Sequence, residues 1–164
     1  MLIEIAGWTA VILFIGGLFY FIFAVDKKVR AAVHAAAADL HLRRSDAAED
    51  LGYSSAETFV GTIEQVPVRI TLGYISGHKG APLMRLQIDA GNETKKSRAD
   101  PAALQAQVDE LHQHAQQYGG SASAAGVGVS VVLGGGIWIT PSVLKETVRK
   151  SVTAVHILHH AARP

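Results

Sequence analysis

Along the first part of the chain the alternation of apolar and polar residues disappears. Ile5 to Val25 reads IAGWTAVILFIGGLFYFIFAV, without one charged side chain. As a helix rising about 1.5 Å per residue, this run spans roughly the 30 Å hydrocarbon core of a bilayer. A helix of a water-soluble core keeps a polar stripe, and none can be drawn here. Residues 1–25 are therefore expected to form a transmembrane anchor. Trp8 suits its outer interface, and Gly16-Gly17 is a place for close helix approach or a local bend. Tyr20 adds a polar tip to the same packing surface.

A helical period follows. Val29, Val33, Ala36 and Leu40 recur at helical spacing in an alanine-rich stretch from Asp26 to about Arg44, which predicts a stalk continuing the anchor. Ser45–Ser55, with Asp46, Glu49, Asp50 and Gly52, reads as a short acidic helix or linker, so that 26–55 forms stalk and linker and 56–164 the folded domain.

The period then changes to two. Phe59, Gly61 and Ile63 alternate with polar neighbours. After a turn near Glu64–Pro67, so do Val66, Val68, Ile70 and Leu72, and Met84, Leu86 and Ile88 mark a third strand. Asp100-Pro101 opens a helix by capping residue and proline, with Leu104, Val108, Leu111 and Ala115 as its core stripe and Gly119-Gly120 as its stop. Two more strands are expected at Val127–Leu133 and Ile137–Thr140, joined by Gly134-Gly135-Gly136. Thr140-Pro141 then opens a last helix. The pattern predicts an α+β fold: a transmembrane helix and helical stalk, then a small antiparallel sheet with two helices packed on one face.

Composition narrows function mostly by exclusion. A net charge of +1 offers no basic face for nucleic acid, and the absence of cysteine removes disulfides, thiolate metal sites and a cysteine nucleophile. Lys27, Lys28 and Arg30 follow the apolar run and no basic residue precedes it. The positive-inside rule then places the N-terminus outside the inner membrane and the domain in the cytoplasm, with these three bases near lipid headgroups.

Histidine is the conspicuous chemistry, with eight in the chain. His156, His159 and His160 have the spacing of a metal site on the last helix, but His156 and His160 share the polar face with Lys145 and Arg149, whose charge opposes a cation. His78 lies in a glycine-containing loop. The glycines at 126, 128 and 134–136 lack the following helix or lysine of a phosphate loop and read as turns, and Trp138 reads as a sheet-packing residue. No catalytic motif is present and no cofactor is predicted.

Glu4, an acid close to the start of a long apolar helix, resembles the anchor of type IV pilins. The resemblance covers the anchor alone, the acid stands at position 4, and no prepilin cleavage motif precedes it. It implies a surface assembly subunit, the third reading. The first is a non-catalytic accessory subunit that binds membrane lipid and other membrane proteins. The second is a tethered enzyme or small-ligand domain using histidines or the Lys95–Arg98 loop.

Overall fold

The computed structural model describes residues 2–45, 54–76, 82–91, 101–134 and 136–161. The elements are α1 (Leu2–Asp39), β1 (Arg43–Ser45), β2 (Ser54–Ile63), β3 (Val66–Ser76), β4 (Pro82–Ala90), α2 (Pro101–Gln116), β5 (Ser121–Ala125), β6 (Gly128–Gly134) and α3 (Pro141–Ala161). They form an α+β fold with one six-stranded antiparallel sheet in the order β1-β2-β3-β4-β6-β5.

α1 runs unbroken from the apolar segment into the alanine-rich stretch, passing through Gly16-Gly17 without a stop. Val29, Ala32, Val33, Ala36 and Ala37 are its buried face. The helix ends at Asp39 rather than near Arg44. Leu42 N donates to Ala37 O at 2.8 Å and His41 takes a left-handed φ of 56°, closing a Schellman-type cap. Leu42 then drops onto β2, where a side chain at Gly61 would come within 2.6 Å of Leu42 Cδ2. Arg43–Ser45, expected in the stalk and linker, instead pairs with Val60, Phe59 and Thr58 as an edge strand. The acidic residues at 46, 49 and 50 lie outside the described residues.

The expected two-residue period holds through the central strands. Phe59, Val68, Ile70, Leu72, Leu86 and Ile88 all face the helices and are buried. The β2–β3 turn is Glu64-Gln65, both with positive φ (49° and 68°), which gives the hairpin a primed-type twist.

The second hairpin corrects the sequence reading. Its first strand is Ser121–Ala125, and its second, Gly128–Gly134, pairs with both β5 and β4. Ile137–Thr140 is not a strand: Ile139 N donates to Gly136 O at 3.1 Å, closing a turn just before α3. Serine and alanine are weak strand formers, so β5 was hidden, whereas Ile-Trp-Ile imitates a strand. Tertiary position decided both. β5 sits beside β6 because Gly120 lets the chain pass against it; a Cβ there would lie 1.9 Å from Val132 O.

All three helices contribute to a single buried core on one face of the sheet, α1 included. α2 lies over β5 and β6, and α3 lies between α1 and α2, over β3, β4 and β6. α3 begins as expected, with Thr140 Oγ1 accepting from Val143 N at 3.3 Å, and buries Leu144, Val148, Val152 and Val155. Among the described residues, no helix is long and apolar enough to cross a membrane.

Candidate functional site

The part of α1 that precedes the core carries the most unusual surface. Val11, Ile12, Leu13, Phe14, Ile15 and Leu18 to Phe23 are 47–77% exposed, around the full circumference of the helix. At roughly 100 Å² each, these eleven side chains expose on the order of 1,000 Å² of mostly apolar surface, well beyond the few hundred Å² a soluble monomer usually shows. A Cβ added at Gly16 or Gly17 would meet nothing within 4 Å, and Tyr20 is exposed, so the expected packing surface is open. The side chain of Trp8 lies outside the described residues.

The segment is joined to the domain by a polar clamp that begins at once. Asp26, Arg30 and His34 recur every fourth residue, which aligns them on one side of α1. Tyr74 Oη of β3 donates to Asp26 Oδ1 at 2.5 Å, and Arg30 Nε donates to both Asp26 oxygens at 3.1 Å. Arg30 Nη1 reaches Glu57 Oε1 of β2 at 2.5 Å, and His34 Nε2 lies 2.8 Å from Glu57 Oε2. The guanidinium also stacks 5.9 Å from the Tyr74 ring, and the His34 ring meets Phe59 edge-on at 5.0 Å.

The electrostatics follow the geometry. Burial alone would raise the Glu57 carboxyl, but the hydrogen bonds from His34 and Arg30 outweigh it and hold the group below its ordinary range. Burial works against the Arg30 charge as well, yet its bonds to Asp26, Tyr74 and Glu57 raise its pKa further. Burial together with the bond to Asp26 raises the Tyr74 phenol. The clamp thus sets one guanidinium between the Asp26 and Glu57 carboxylates, beside a neutral phenol, with charge-assisted hydrogen bonds on both sides of Arg30.

The predicted headgroup residues divide. Lys27 and Lys28 are exposed, but Arg30 turns to Asp26 and Glu57. Lys28 Nζ donates to Ile137 O at 3.0 Å. Further along α1, Lys145 Nζ pairs with Asp39 at 2.6 Å and lowers the pKa of that carboxyl, tying α3 to α1.

Among the described residues the histidines do not converge. His156 Nε2 lies 3.6 Å from Glu64 Oε2, and the side chains of His159 and His160, like His78 and the Lys95–Arg98 loop, lie outside the described residues. Among the described residues, no three metal-ligating side chains come together. The imidazole the sequence did not single out is His114, buried between α2 and α3. Thr147 Oγ1 gives its proton to Val143 O at 2.8 Å, so at 2.9 Å it accepts from His114 Nε2. Burial pushes the His114 pKa down, which keeps the ring neutral.

Beside it, α2 and α3 border a groove of about 570 Å³ with Leu111, Ala154 and Ile157 along it and Glu110, Glu146, Lys145, Arg149 and Lys150 around it. Lys150 and Glu110 meet across this groove at 3.4 Å, so its charges partly satisfy one another. On the opposite face of the sheet, Ser130 Oγ and Gln87 Nε2 donate to the buried Asp89 carboxylate at 2.6 and 3.0 Å. Searches among protein-family models, curated proteins and solved structures returned no match to this chain.

Proposed function

We propose that this chain is a single-pass membrane protein whose domain acts as a non-catalytic interaction module, an accessory subunit of a larger membrane assembly. The observation that carries this reading is the exposed apolar length of α1, continuous with a helix bolted into the domain. About 1,000 Å² of apolar surface left in water would cost on the order of 25 kcal/mol relative to burial. Lipid, with neighbouring helices packed at Gly16-Gly17, is the environment that removes that cost. The anchor extends from about Ile5 to Val25, longer than the part whose side chains are described.

The clamp supports the accessory role. A flexible tether needs no Asp26–Arg30–Glu57–Tyr74 network, whereas a subunit that presents one face to a neighbour must hold a set angle to the membrane. Lys27 and Lys28 favour a cytoplasmic domain in the inner membrane.

The test is the size of the native particle after extraction in mild detergent, with co-migrating proteins identified. Reproducible migration within a large assembly supports the accessory role; migration alone or as a small homo-oligomer sinks it. Orientation is read separately. The chain has no cysteine, so Ser123→Cys supplies a single thiol on β5. An impermeant maleimide should label it only after cell lysis, and labelling of intact cells would instead favour a pilin-like surface subunit.

A further inference from the structure

We propose that the Ile137–Trp138 turn is a second membrane contact, inserted between headgroups and acyl chains beside the point where α1 leaves the bilayer. This rests on the reading of α1 as a membrane anchor and adds a feature of the domain itself. Corner positions of tight turns usually carry glycine, proline, asparagine, aspartate or serine, whose backbone freedom or short hydrogen-bonding side chains suit the bend. Here the turn closed by Ile139 N and Gly136 O puts isoleucine and tryptophan at its two corners, 38% and 62% exposed. Apart from the α1 segment, Ile157 is the one other large apolar side chain exposed to this degree among the described residues.

The turn is held in place at both ends. Ile139 is fully buried in the core, and the Ile137 carbonyl accepts the Lys28 ammonium at 3.0 Å. The indole folds back over its own turn, so closely that a Cβ at Gly136 would lie 2.8 Å from Trp138 Nε1. The pair is therefore a compact wedge on a fixed base.

Its height on the molecule is set by Lys28. That residue stands about 7.5 Å of helix rise beyond Phe23, the last of the exposed apolar run. Val25, between them, is the first α1 residue packed against the core. The wedge thus sits at the level where α1 passes from apolar surroundings into the domain.

Tryptophan is the side chain best suited to that depth, because its apolar ring and its N–H donor favour the boundary zone. Lys28, which donates to the turn, and exposed Lys27 next to it in α1 complement anionic headgroups. A helix alone fixes where a domain is attached but leaves it free to spin about the helix axis. A second contact off that axis fixes which face meets the membrane.

The test uses the full chain in liposomes of phosphatidylcholine and phosphatidylglycerol, with no other protein present. The chain has two tryptophans, so Trp8→Phe leaves Trp138 as the single emitter and Trp138→Phe leaves Trp8. Lipids brominated at shallow or deep acyl positions then report depth by quenching. The expected result is a blue-shifted Trp138 emission, quenched more by shallow than by deep bromines. Quenching of Trp8 in its own variant, with Trp138 unquenched and emitting as in water, overturns the proposal while leaving the anchor intact. If neither emitter is quenched, the anchor reading falls and this proposal with it. Shielding of Trp138 in native membranes but not in pure lipid would mean that a protein partner covers the turn, and would also overturn the proposal.

Discussion

Replacing Glu57 by alanine removes the acceptor that joins two side chains of α1 to the sheet. Glu57 and Arg30 are only 16% and 27% exposed, and Glu57 accepts from Arg30 at 2.5 Å and from His34 at 2.8 Å. Hydrogen bonds to a charged group contribute about 1.5–3 kcal/mol each when shielded from water. Arg30 keeps its bonds to Asp26 in the variant, and removing Glu57 also relieves the carboxylate's own burial cost. Both reduce the loss, to about 2 kcal/mol. For a domain of this size that is a fall in Tm of about 8 °C. The control is Glu110→Ala, whose pair with Lys150 is 3.4 Å long with side chains 37% and 64% exposed. An exposed pair of that kind contributes about 0.3 kcal/mol, and the expected shift is about 1 °C. Thermal unfolding of the full chain in one detergent, followed by circular dichroism, compares the two. Equal shifts would show that the clamp is a surface decoration, and the argument for a rigidly held domain would fail.

Other outcomes follow from single residues. His41 occupies the left-handed position that ends α1, a conformation costly for any residue with a Cβ, so His41→Gly should stabilise the fold by about 1 kcal/mol in denaturant titration. His114 is held below the ordinary histidine value of 6.5 by burial, with Glu146, Lys150 and Glu110 facing it. The unfolded chain therefore takes up that proton first, and stability should fall as pH drops below about 6.5, levelling off once the folded ring is protonated. His114→Leu should flatten unfolding free energy against pH in that window, and an unchanged slope would count against the assignment. The depressed Glu57 carboxyl acts lower: its contribution is present above its ordinary value of 4.5 and is lost as pH falls below it.

The sequence carried the layer arrangement well, because burial on one side of a strand or helix writes a period into the chain. Val66, Val68, Ile70 and Leu72 on β3, and Leu144, Val148, Val152 and Val155 on α3, could be assigned to the core from spacing alone. Asp100-Pro101 and Thr140-Pro141 marked two helix starts for a local reason, the first turn's free N–H groups. β5 was missed because Ser121–Ala125 has little intrinsic preference and is a strand only through its neighbour β6. Ile137-Trp138-Ile139 was misread for the converse reason: its local preference is strong, but its backbone turns toward α3. The clamp went unread: Arg30 was assigned to lipid headgroups, although Asp26, Arg30 and His34 recur every fourth residue. Its partners Glu57 and Tyr74 depend on the packing of α1 against β2 and β3, and pattern analysis gives no such register. The chemistry of the α2–α3 interface was hidden likewise, because Thr147 lies 33 residues from His114.

Both proposals require α1 to be held in lipid. Membranes from cells expressing the full chain, washed with alkaline carbonate and sedimented, test this most directly. The chain should stay in the pellet and leave it only with detergent. Release into the carbonate supernatant would contradict both, and would mean that another protein covers the Val11–Phe23 surface.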